Sequence, residues 1–548
     1  MIGAKTKIKK KSYRKPKRIF ETSGNVDPKT AYYVCLNNVT NSYGQDIKTM
    51  VDRGRYFSIF APRQSGKTTF LEELRSQLHG NSTYVVVILG FQDFKNLVDK
   101  SRFYSLLEKY LYEQLLNRLG QVNCEKIETV RQFLARHHFI DHISFRELFE
   151  ELNKIIQYKK IVIFIDEFDG IPIKELENFL TTLRELYIKY KKITQKALYS
   201  IGLIGIRDIT KLIVGGVSPF KIADQVEMPP FSLKNVRDLY SQYTEETNQP
   251  FREEAVKKVY EETGGQPWLV NRLGTILTMN VKPGSVVPID EKDVEKAIQL
   301  LLREKNDHFD NLYEKAKLYK ETFVEIVFDH VKYKTDHKEQ SWLEQYGLIK
   351  DKNGSAVVAN NIYKARFVET FFDETNVPVP VQSDGGILLP EYQLPGGRLD
   401  MERILLDFDR YIGHIGVRAF YREGKPYEKT GQFLLTAWLY QFVRGGEGEL
   451  RYEVLSGLGR MDILLTYKGI KYIIETKMNH GILTRTLNDG LTQVSTKYLA
   501  SEAAHEGYLV IFDTRTPVGE ECEPQGHETR SKKVTAFIIA IAVGKTDN

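Results

Sequence analysis

Tyr56-Phe57-Ser58-Ile59-Phe60 runs into Ala61-Pro62-Arg63-Gln64-Ser65-Gly66-Lys67-Thr68-Thr69, and Phe70-Leu71-Glu72-Glu73-Leu74 follows. The first five residues read as an apolar strand and the last five as the start of a helix. Strand, glycine-bearing loop with Gly-Lys-Thr, and helix form the context of a P-loop. Backbone N–H groups of such a loop, with the helix N-terminus behind them, cradle phosphates. Lys67 is placed to reach the β and γ phosphates of ATP, and the Thr68 hydroxyl to bind Mg²⁺. Ala61 through Thr69 are the expected nucleotide-binding residues. The first position is Ala61 rather than Gly, and a Cβ is tolerable at that end of the loop.

The motif has a partner downstream. Lys160-Ile161-Val162-Ile163-Phe164-Ile165-Asp166-Glu167-Phe168-Asp169 is an apolar run ending in acids. It reads as a buried parallel strand. Asp166 is expected in the Mg²⁺ shell, and Glu167 is expected to polarise the attacking water. The plainer alternative is a core strand with solvated acids at its end. Arg207 follows the apolar run Leu198–Ile206 and sits at the ligand side of a parallel sheet. It reads either as a γ-phosphate sensor or as a surface arginine.

Around these motifs, residues 30–230 alternate strand-like and helical patterns, as a three-layer α/β core does. The expected strands are Tyr56–Phe60, Tyr84–Gly90, Lys160–Asp166, Leu198–Ile206 and a short one at Lys211–Gly215. Ile173–Lys191 has helical period. Residues 231–287 read as a helical lid, with helices Ser232–Asn248, Glu253–Thr263 and Trp268–Met279. Gly264-Gly265-Gln266-Pro267 forces the last boundary. Residues 288–375 read as winged-helix-like. Asp351-Lys352-Asn353-Gly354 is a hairpin turn, with Ala356–Ala359 as the return strand. Such wings either bind DNA or pack internally. Residues 376–398 are rich in Pro and Gly and read as a linker.

The bulk numbers agree with several domains in one chain. At 548 residues the chain is too long for one core. It is 42% hydrophobic and 27% charged, and no apolar run approaches the length of a membrane span. No membrane partner is expected. Cys35, Cys124 and Cys522 are scattered without metal-ligand spacing, which fits a reducing cytoplasm. The first twenty residues hold nine Lys and Arg and no acid, while the whole chain is only +6. The rest is therefore slightly acidic. Residues 1–29 read as a basic flexible arm, which either grips phosphates or serves solubility alone.

The last domain, residues 399–548, carries a second constellation. Its first part is helical by period over Leu399–Ile412 and Tyr427–Phe442. Gly459-Arg460-Met461-Asp462-Ile463-Leu464-Leu465 then reads as a strand, Tyr467-Lys468-Gly469 as a turn, and Ile470 to Ile474 as a return strand ending in Glu475-Thr476-Lys477. A hairpin of this spacing returns Glu475 close to Asp462, with Lys477 on the face of Glu475. Two carboxylates and a lysine can hold a divalent metal and steer water onto a phosphodiester. The expected ligands of Mg²⁺ or Mn²⁺ are Asp462, Glu475 and the Thr476 carbonyl. Lys477 is expected to orient the attacking water. The plainer alternative is a surface hairpin with an ordinary salt bridge.

Glu428, Asp462, Glu475 and Lys477 in this order resemble the PD-(D/E)XK nuclease superfamily. Gln493 and Tyr498 resemble the Gln-containing helix that often follows there, and Gly507–Asp513 the next core strand. Met461 stands where that superfamily often has Pro. The resemblance implies a mixed sheet flanked by helices and places Glu428 with the catalytic residues. Ala61–Thr68 and Ile161–Glu167 are similar to the AAA-like ATPases of the AAA+/STAND group. Ser218–Ala223 and Gly264–Pro267 resemble features that follow their nucleotide core. Such fusions point to prokaryotic defence or mobile elements.

The whole is read as an α/β chain: a P-loop ATPase core with lid and winged-helix-like region, followed by an α/β nuclease domain. The expected activity is ATP-dependent or ATP-regulated, metal-dependent cleavage of nucleic acid, DNA before RNA, by a homo-oligomer. The alternative is a STAND-like ATP switch whose C-terminal domain binds nucleic acid or protein without cutting. A third reading is a DNA-translocating or transposition-type ATPase with an accessory nuclease.

Overall fold

The computed structural model describes residues 12–542 apart from 37–38, 96, 98, 157, 192–195, 207–221, 329–330, 374–389, 416–420, 423–424, 427, 444–447, 457–458, 500–503, 505, 518–523 and 530–531. The chain divides into two compact units, Met1–Phe323 with Val331–Tyr363 and Val324–His330 with Lys364–Asn548. Among the described residues no helix is long and apolar enough to cross a membrane.

In the first unit, β1 (Thr40–Asn41), β2 (Tyr56–Phe60), β3 (Tyr84–Gly90), β4 (Lys160–Asp166), β5 (Leu198–Gly205) and β6 (Asp224–Glu227) form one sheet in the order β1-β6-β2-β5-β4-β3. β2 to β6 are parallel, and β1 runs against β6. Strand alternation sorts the apolar residues to two cores. Val162 and Phe164 meet α1 (Ile47–Asp52) and α2 (Lys67–His79). Ile161, Ile163 and Ile165 meet α3 (Lys100–Gln121), α4 (Ile127–Leu134), α5 (His142–Ile155) and α6 (Ile173–Tyr190). Covering both faces is what lets these strands read as unbroken apolar runs. The expected strand at Lys211–Gly215 and the expected sensor Arg207 lie outside the described residues.

The helical segment expected as a lid begins with α7 (Leu233–Thr247), closed at its start by a capping box between Ser232 and Asn235. α8 (Glu253–Thr263) ends at Gly264. α9 (Pro267–Ile276) starts with proline in its first turn and continues into a π-helical turn, Leu277–Val281. α10 (Glu291–Leu302) and α11 (Asp307–Leu318) follow. α12 (Lys320–Phe328), α13 (Lys338–Gln345) and a hairpin of β7 (Ile349–Lys352) and β8 (Ser355–Val358) come next, before α14 (Asn361–Asp373). The hairpin turn has positive φ at Asn353 (55°) and Gly354 (83°), as an Asn-Gly turn of this type requires.

Of the expected flexible arm, residues 1–11 lie outside the described residues, and the remainder is docked. From Ser12 onward it lies against the lid. Arg14 donates to the Glu245 carbonyl, and Arg18 reaches Gln242 at 3.0 Å and Glu246 at 3.4 Å. Phe20 is buried among Tyr32, Tyr240 and Tyr243, with ring centroids 4.7, 5.4 and 5.8 Å away. The Trp268 indole donates to the Thr22 carbonyl at 3.0 Å. One aromatic side chain and paired guanidinium groups make a strap of what reads as a solvated charge run.

In the second unit, β9 (Gln393–Leu394) pairs with β10 (Arg398–Leu399), and Tyr392 is buried in the domain core. The end of the expected linker is thus part of the domain, while 376–389 lie outside the described residues. After α15 (Met401–Ile415), the short pair β11 (Tyr421–Arg422) and β12 (Lys425–Pro426), and α16 (Glu428–Val443), a second six-stranded sheet forms. It comprises β13 (Gly448–Ser456), β14 (Gly459–Tyr467), β15 (Ile470–Asn479), β16 (Glu506–Pro517), β17 (Gln525–Thr529) and β18 (Lys532–Ala542), in the order β13-β14-β15-β16-β18-β17. β13, β14 and β15 form an antiparallel meander, β15, β16 and β18 are parallel, and β17 returns antiparallel. Ile463, Ile474, Val510 and Ile539 face Phe408 of α15 and Trp438 of α16. Leu509 and Ile511 face α17 (Leu483–Gln493).

Candidate functional site

The nucleotide candidate is built where β2 ends. Gln64 (φ 56°) and Gly66 (φ 87°) are both left-handed, which folds the loop back over the start of α2. Glycine takes this conformation freely. Ser65 Oγ donates to the Pro62 carbonyl at 2.9 Å. Lys67 Nζ donates to the carbonyls of Ala61 at 2.7 Å and Pro62 at 2.5 Å. Burial lowers the Lys67 ammonium to about 8, against the opposing pull of Asp166, Asp169 and Glu167. An incoming polyphosphate would restore the charged form.

β5 lies between β2 and β4, and both motifs face the same end of the sheet. Thr68 Oγ1 donates to Asp166 Oδ2 at 2.8 Å. Both oxygens are hard donors, the kind Mg²⁺ takes. Glu167 is exposed and has φ 51°, a strained conformation for a residue with a side chain. Its N–H donates to Asp166 Oδ1 at 2.9 Å. A cavity of about 310 Å³ is lined by Arg63, Lys67, Thr68, Asp166 and Glu167, together with Asp169, Gln92, Lys95, Gly24 and Asn25. The last five were not expected. Asp169 accepts from the Ile206 N–H at 2.6 Å and so ties the acidic turn to the end of β5. Gly24 and Asn25 come from the strap, which no local pattern announces. From the lid, Gln266 Nε2 donates to the Gln64 carbonyl at 3.2 Å.

The second candidate lies on β14 and β15. The turn between them has positive φ at Lys468 (50°) and Gly469 (81°). Pairing runs from Tyr467–Ile470 to Ile463–Ile474 and then gives way to side chains. Asp462 Oδ2 accepts from the Thr476 N–H at 2.8 Å and the Thr476 hydroxyl at 2.6 Å. Glu475 Oε2 lies 3.4 Å from the Asp462 nitrogen. Glu475 Oε1 accepts from Lys477 Nζ at 2.9 Å and Gln493 Nε2 at 2.5 Å. Gln493 Nε2 also meets the Tyr498 hydroxyl at 2.7 Å. α17 comes this close because Gly490 has no side chain: a Cβ there would meet Leu509 at 2.7 Å.

Glu475 is 2% exposed. Burial, and next the charge of Asp462, push its carboxyl up to about 7, while Lys477 pulls the other way. Two carboxylates crowded in a buried site have the electrostatic demand that a cation meets. Asp462 and Glu475 therefore fit a divalent metal, with the Thr476 hydroxyl an unexpected member of the cluster. Among the described residues no group of three or more His, Cys, Asp or Glu forms a fuller ligand set. The side chain of Glu428, at the start of α16, lies outside the described residues. Asn479 and Asp513 were also missed. Both are buried, and Asn479 Nδ2 donates to Asp513 Oδ1 at 2.7 Å.

No curated protein matches the chain. Among solved structures it is similar to a Walker-type ATPase of Pyrococcus abyssi, with 13% identity over 61% of this chain and 98% of that one, at a TM-score of 0.40. It is similar to the Holliday junction branch migration motor RuvB of Thermotoga maritima, with 13% identity over 61% and 92%, at 0.30. It is also similar to the ORC1 protein of Aeropyrum pernix, solved in complex with DNA, with 12% identity over 62% and 95%, at 0.28. The AAA-like domain family matches residues 21–369, a span that holds the P-loop, the acidic end of β4, the helices α7–α11 and the β7–β8 hairpin. The chain belongs to the AAA-like domain family of P-loop ATPases.

Proposed function

We propose that this protein is an ATP-regulated, divalent-metal-dependent nuclease, acting on DNA in preference to RNA. The observation that carries the reading is the convergence of Asp462, Glu475, Lys477 and Gln493 on one end of the β14–β15 pair. Asp462, Glu475 and the Thr476 carbonyl would hold Mg²⁺ or Mn²⁺, and Glu428 would complete the outer shell. A bound metal would acidify water and offset phosphate charge. Lys477 orients the attacking water and stabilises charge that develops on the phosphate. Gln493 holds Glu475 in place, and Tyr498 holds Gln493.

At the nucleotide site, Lys67 binds the phosphates, Thr68 and Asp166 take Mg²⁺, and Glu167 activates water. The readings of domains 30–230, 231–287, 288–375 and 399–548 as core, lid, winged-helix-like region and nuclease, of a cytoplasmic homo-oligomer, and of a role in defence or mobile elements belong to the same proposal. Plasmid cleavage in Mg²⁺, with and without ATP, by wild type and Glu475→Ala tests it. Metal-dependent nicking lost in the variant supports the reading, and equal nicking by both removes it. A nucleotide switch without cleavage is favoured by one observation, the contact of Gln266 in the lid with the P-loop carbonyl of Gln64. It predicts ATP-dependent nucleic-acid or protein binding with intact substrate.

A further inference from the structure

Glu475, Lys477 and Asn479 alternate onto one face of β15, and the strand ends at Asn479. His480, Gly481 and Ile482 then turn the chain into α17, whose far end brings Gln493 back to Glu475 at 2.5 Å. The turn therefore lies beyond the Asp462–Glu475 cluster, at the end of the sheet where β14 and β15 have parted.

Ile482 is out of place there by two measures. Its side chain is 69% exposed. A lone exposed aliphatic group is ordinary. Ile482, however, is also the N-cap of α17 and makes no side-chain hydrogen bond to it. Asn, Asp, Ser or Thr at an N-cap accepts from N–H groups of the first turn, and isoleucine is among the poorest choices. Solubility and helix stability are both forgone at one residue. Positions that break local rules without a gain in packing are where function is to be sought.

The surroundings hold this residue out rigidly. Asn479, 1% exposed, accepts at Oδ1 from the Gly481 N–H at 3.2 Å and from the Thr486 hydroxyl at 3.0 Å. Its Nδ2 donates to buried Asp513 at 2.7 Å, and its carbonyl accepts from the Thr514 hydroxyl at 2.8 Å. Arg515 Nη1 donates to the Gly481 carbonyl at 2.9 Å. Arg485 and Arg515 are exposed beside the turn, Lys497 is exposed beyond the far end of α17, and Asp489 is the acid of that helix. An apolar tip flanked by cations suits the parting of stacked bases while neighbouring side chains grip phosphate.

We propose that Ile482 is a wedge that enters a DNA duplex beside the cleavage site and unstacks one base step. The proposal rests on the nuclease reading and adds to it a preference for duplex sites that open easily. Asn479 is four strand residues beyond Glu475, about 13 Å, so the wedge meets the duplex about four base steps from the bond that is cut. Pyrimidine–purine steps and mismatches cost least to open, and cleavage should favour them.

The full-length protein is mixed with a duplex oligonucleotide carrying fluorescent aminopurine, which brightens when unstacked, at one position at a time. Ca²⁺ replaces Mg²⁺, so that binding is read without cutting. Wild type is expected to raise the fluorescence at one position by about threefold or more. Ile482→Ala and Ile482→Asn should bind the duplex and leave the fluorescence at its free level. Ile482→Asn supplies the missing cap and should melt no lower than wild type, so its loss of unstacking is no loss of fold. In Mg²⁺ both variants should cut duplex at least about tenfold more slowly, and single strands within about twofold of wild type. A mismatch at the bright position should restore their duplex rate. Equal brightness with wild type and Ile482→Asn overturns the proposal. Wild type that cuts the duplex without brightening it overturns the wedge and leaves the nuclease reading standing. Brightening that is lost in Ile482→Asn, with no cutting by either protein, supports the wedge and overturns the nuclease reading. Wild type that binds no duplex overturns both.

Discussion

Thr68 Oγ1 donates to Asp166 Oδ2 across 2.8 Å, joining residues 98 positions apart in sequence. The hydroxyl and carboxylate are thus held in register with each other. Beside them, Lys67 is turned onto the carbonyls of Ala61 and Pro62.

Lys67→Ala should therefore abolish tight ATP binding, since no other described side chain of the cavity combines its burial with a positive charge at the loop. Glu167→Gln should bind ATP as wild type does and hydrolyse it at least about a hundredfold more slowly. Equilibrium binding together with phosphate release checks both. Wild-type turnover by Glu167→Gln would remove the role given to that carboxylate.

Cleavage should separate from binding in the second unit. Lys477→Ala is expected to lose nicking while still binding DNA and metal, whereas Asp462→Ala should lose metal binding too. Metal titration and a nicking assay on the same preparations read the difference. Persistent cleavage in both variants, or cleavage in excess chelator, would falsify the nuclease assignment.

Glu475 also predicts how stability follows pH. Its carboxyl titrates near 7 when folded and near 4.5 when exposed. Between those values the folded chain keeps a proton that the unfolded chain releases, so stability falls as pH rises from about 4.5 to about 7. Glu475→Gln removes that loss and should stabilise its unit by ~3 kcal/mol at pH 8, with little gain at pH 5. Thermal melts of both proteins at the two pH values decide it. A constant offset between them would show that Glu475 is not the titrating group.

The strap gives a fourth prediction. Phe20→Ala removes a buried ring from the aromatic cluster of Tyr32, Tyr240 and Tyr243 and should cost ~3 kcal/mol in the first unit. Deleting residues 1–11 should flatten the salt dependence of DNA binding. If the Phe20→Ala protein melts with wild type, the docked strap is not a stable feature in solution.

Much of the fold was legible because buried parallel strands announce themselves. β2, β3 and β4 begin and end where their apolar runs do, and α8 spans the residues its period marks out. Asp462 and Glu475 were legible because a two-residue turn sets a hairpin's register. The strap was not. Its residues have no period of their own, and their charges look solvated until Glu245, Glu246 and Gln242 are brought beside them. Asn479 and Asp513 escaped for a related reason: they meet only through the parallel pairing of β15 with β16.

The strap also sets an order of events during synthesis. Its partners in α7 lie more than two hundred residues further along the chain. On a ribosome, residues 12–33 emerge before Leu233–Thr247 and Pro267–Ile276 and must wait for them before they can settle. Contacts of such long separation form late and slowly. The nascent α/β core can fold around its P-loop while the edge of the nucleotide cavity formed by Gly24 and Asn25 is still missing. The strap thus closes the edge of that cavity only after the helices that hold it have been made.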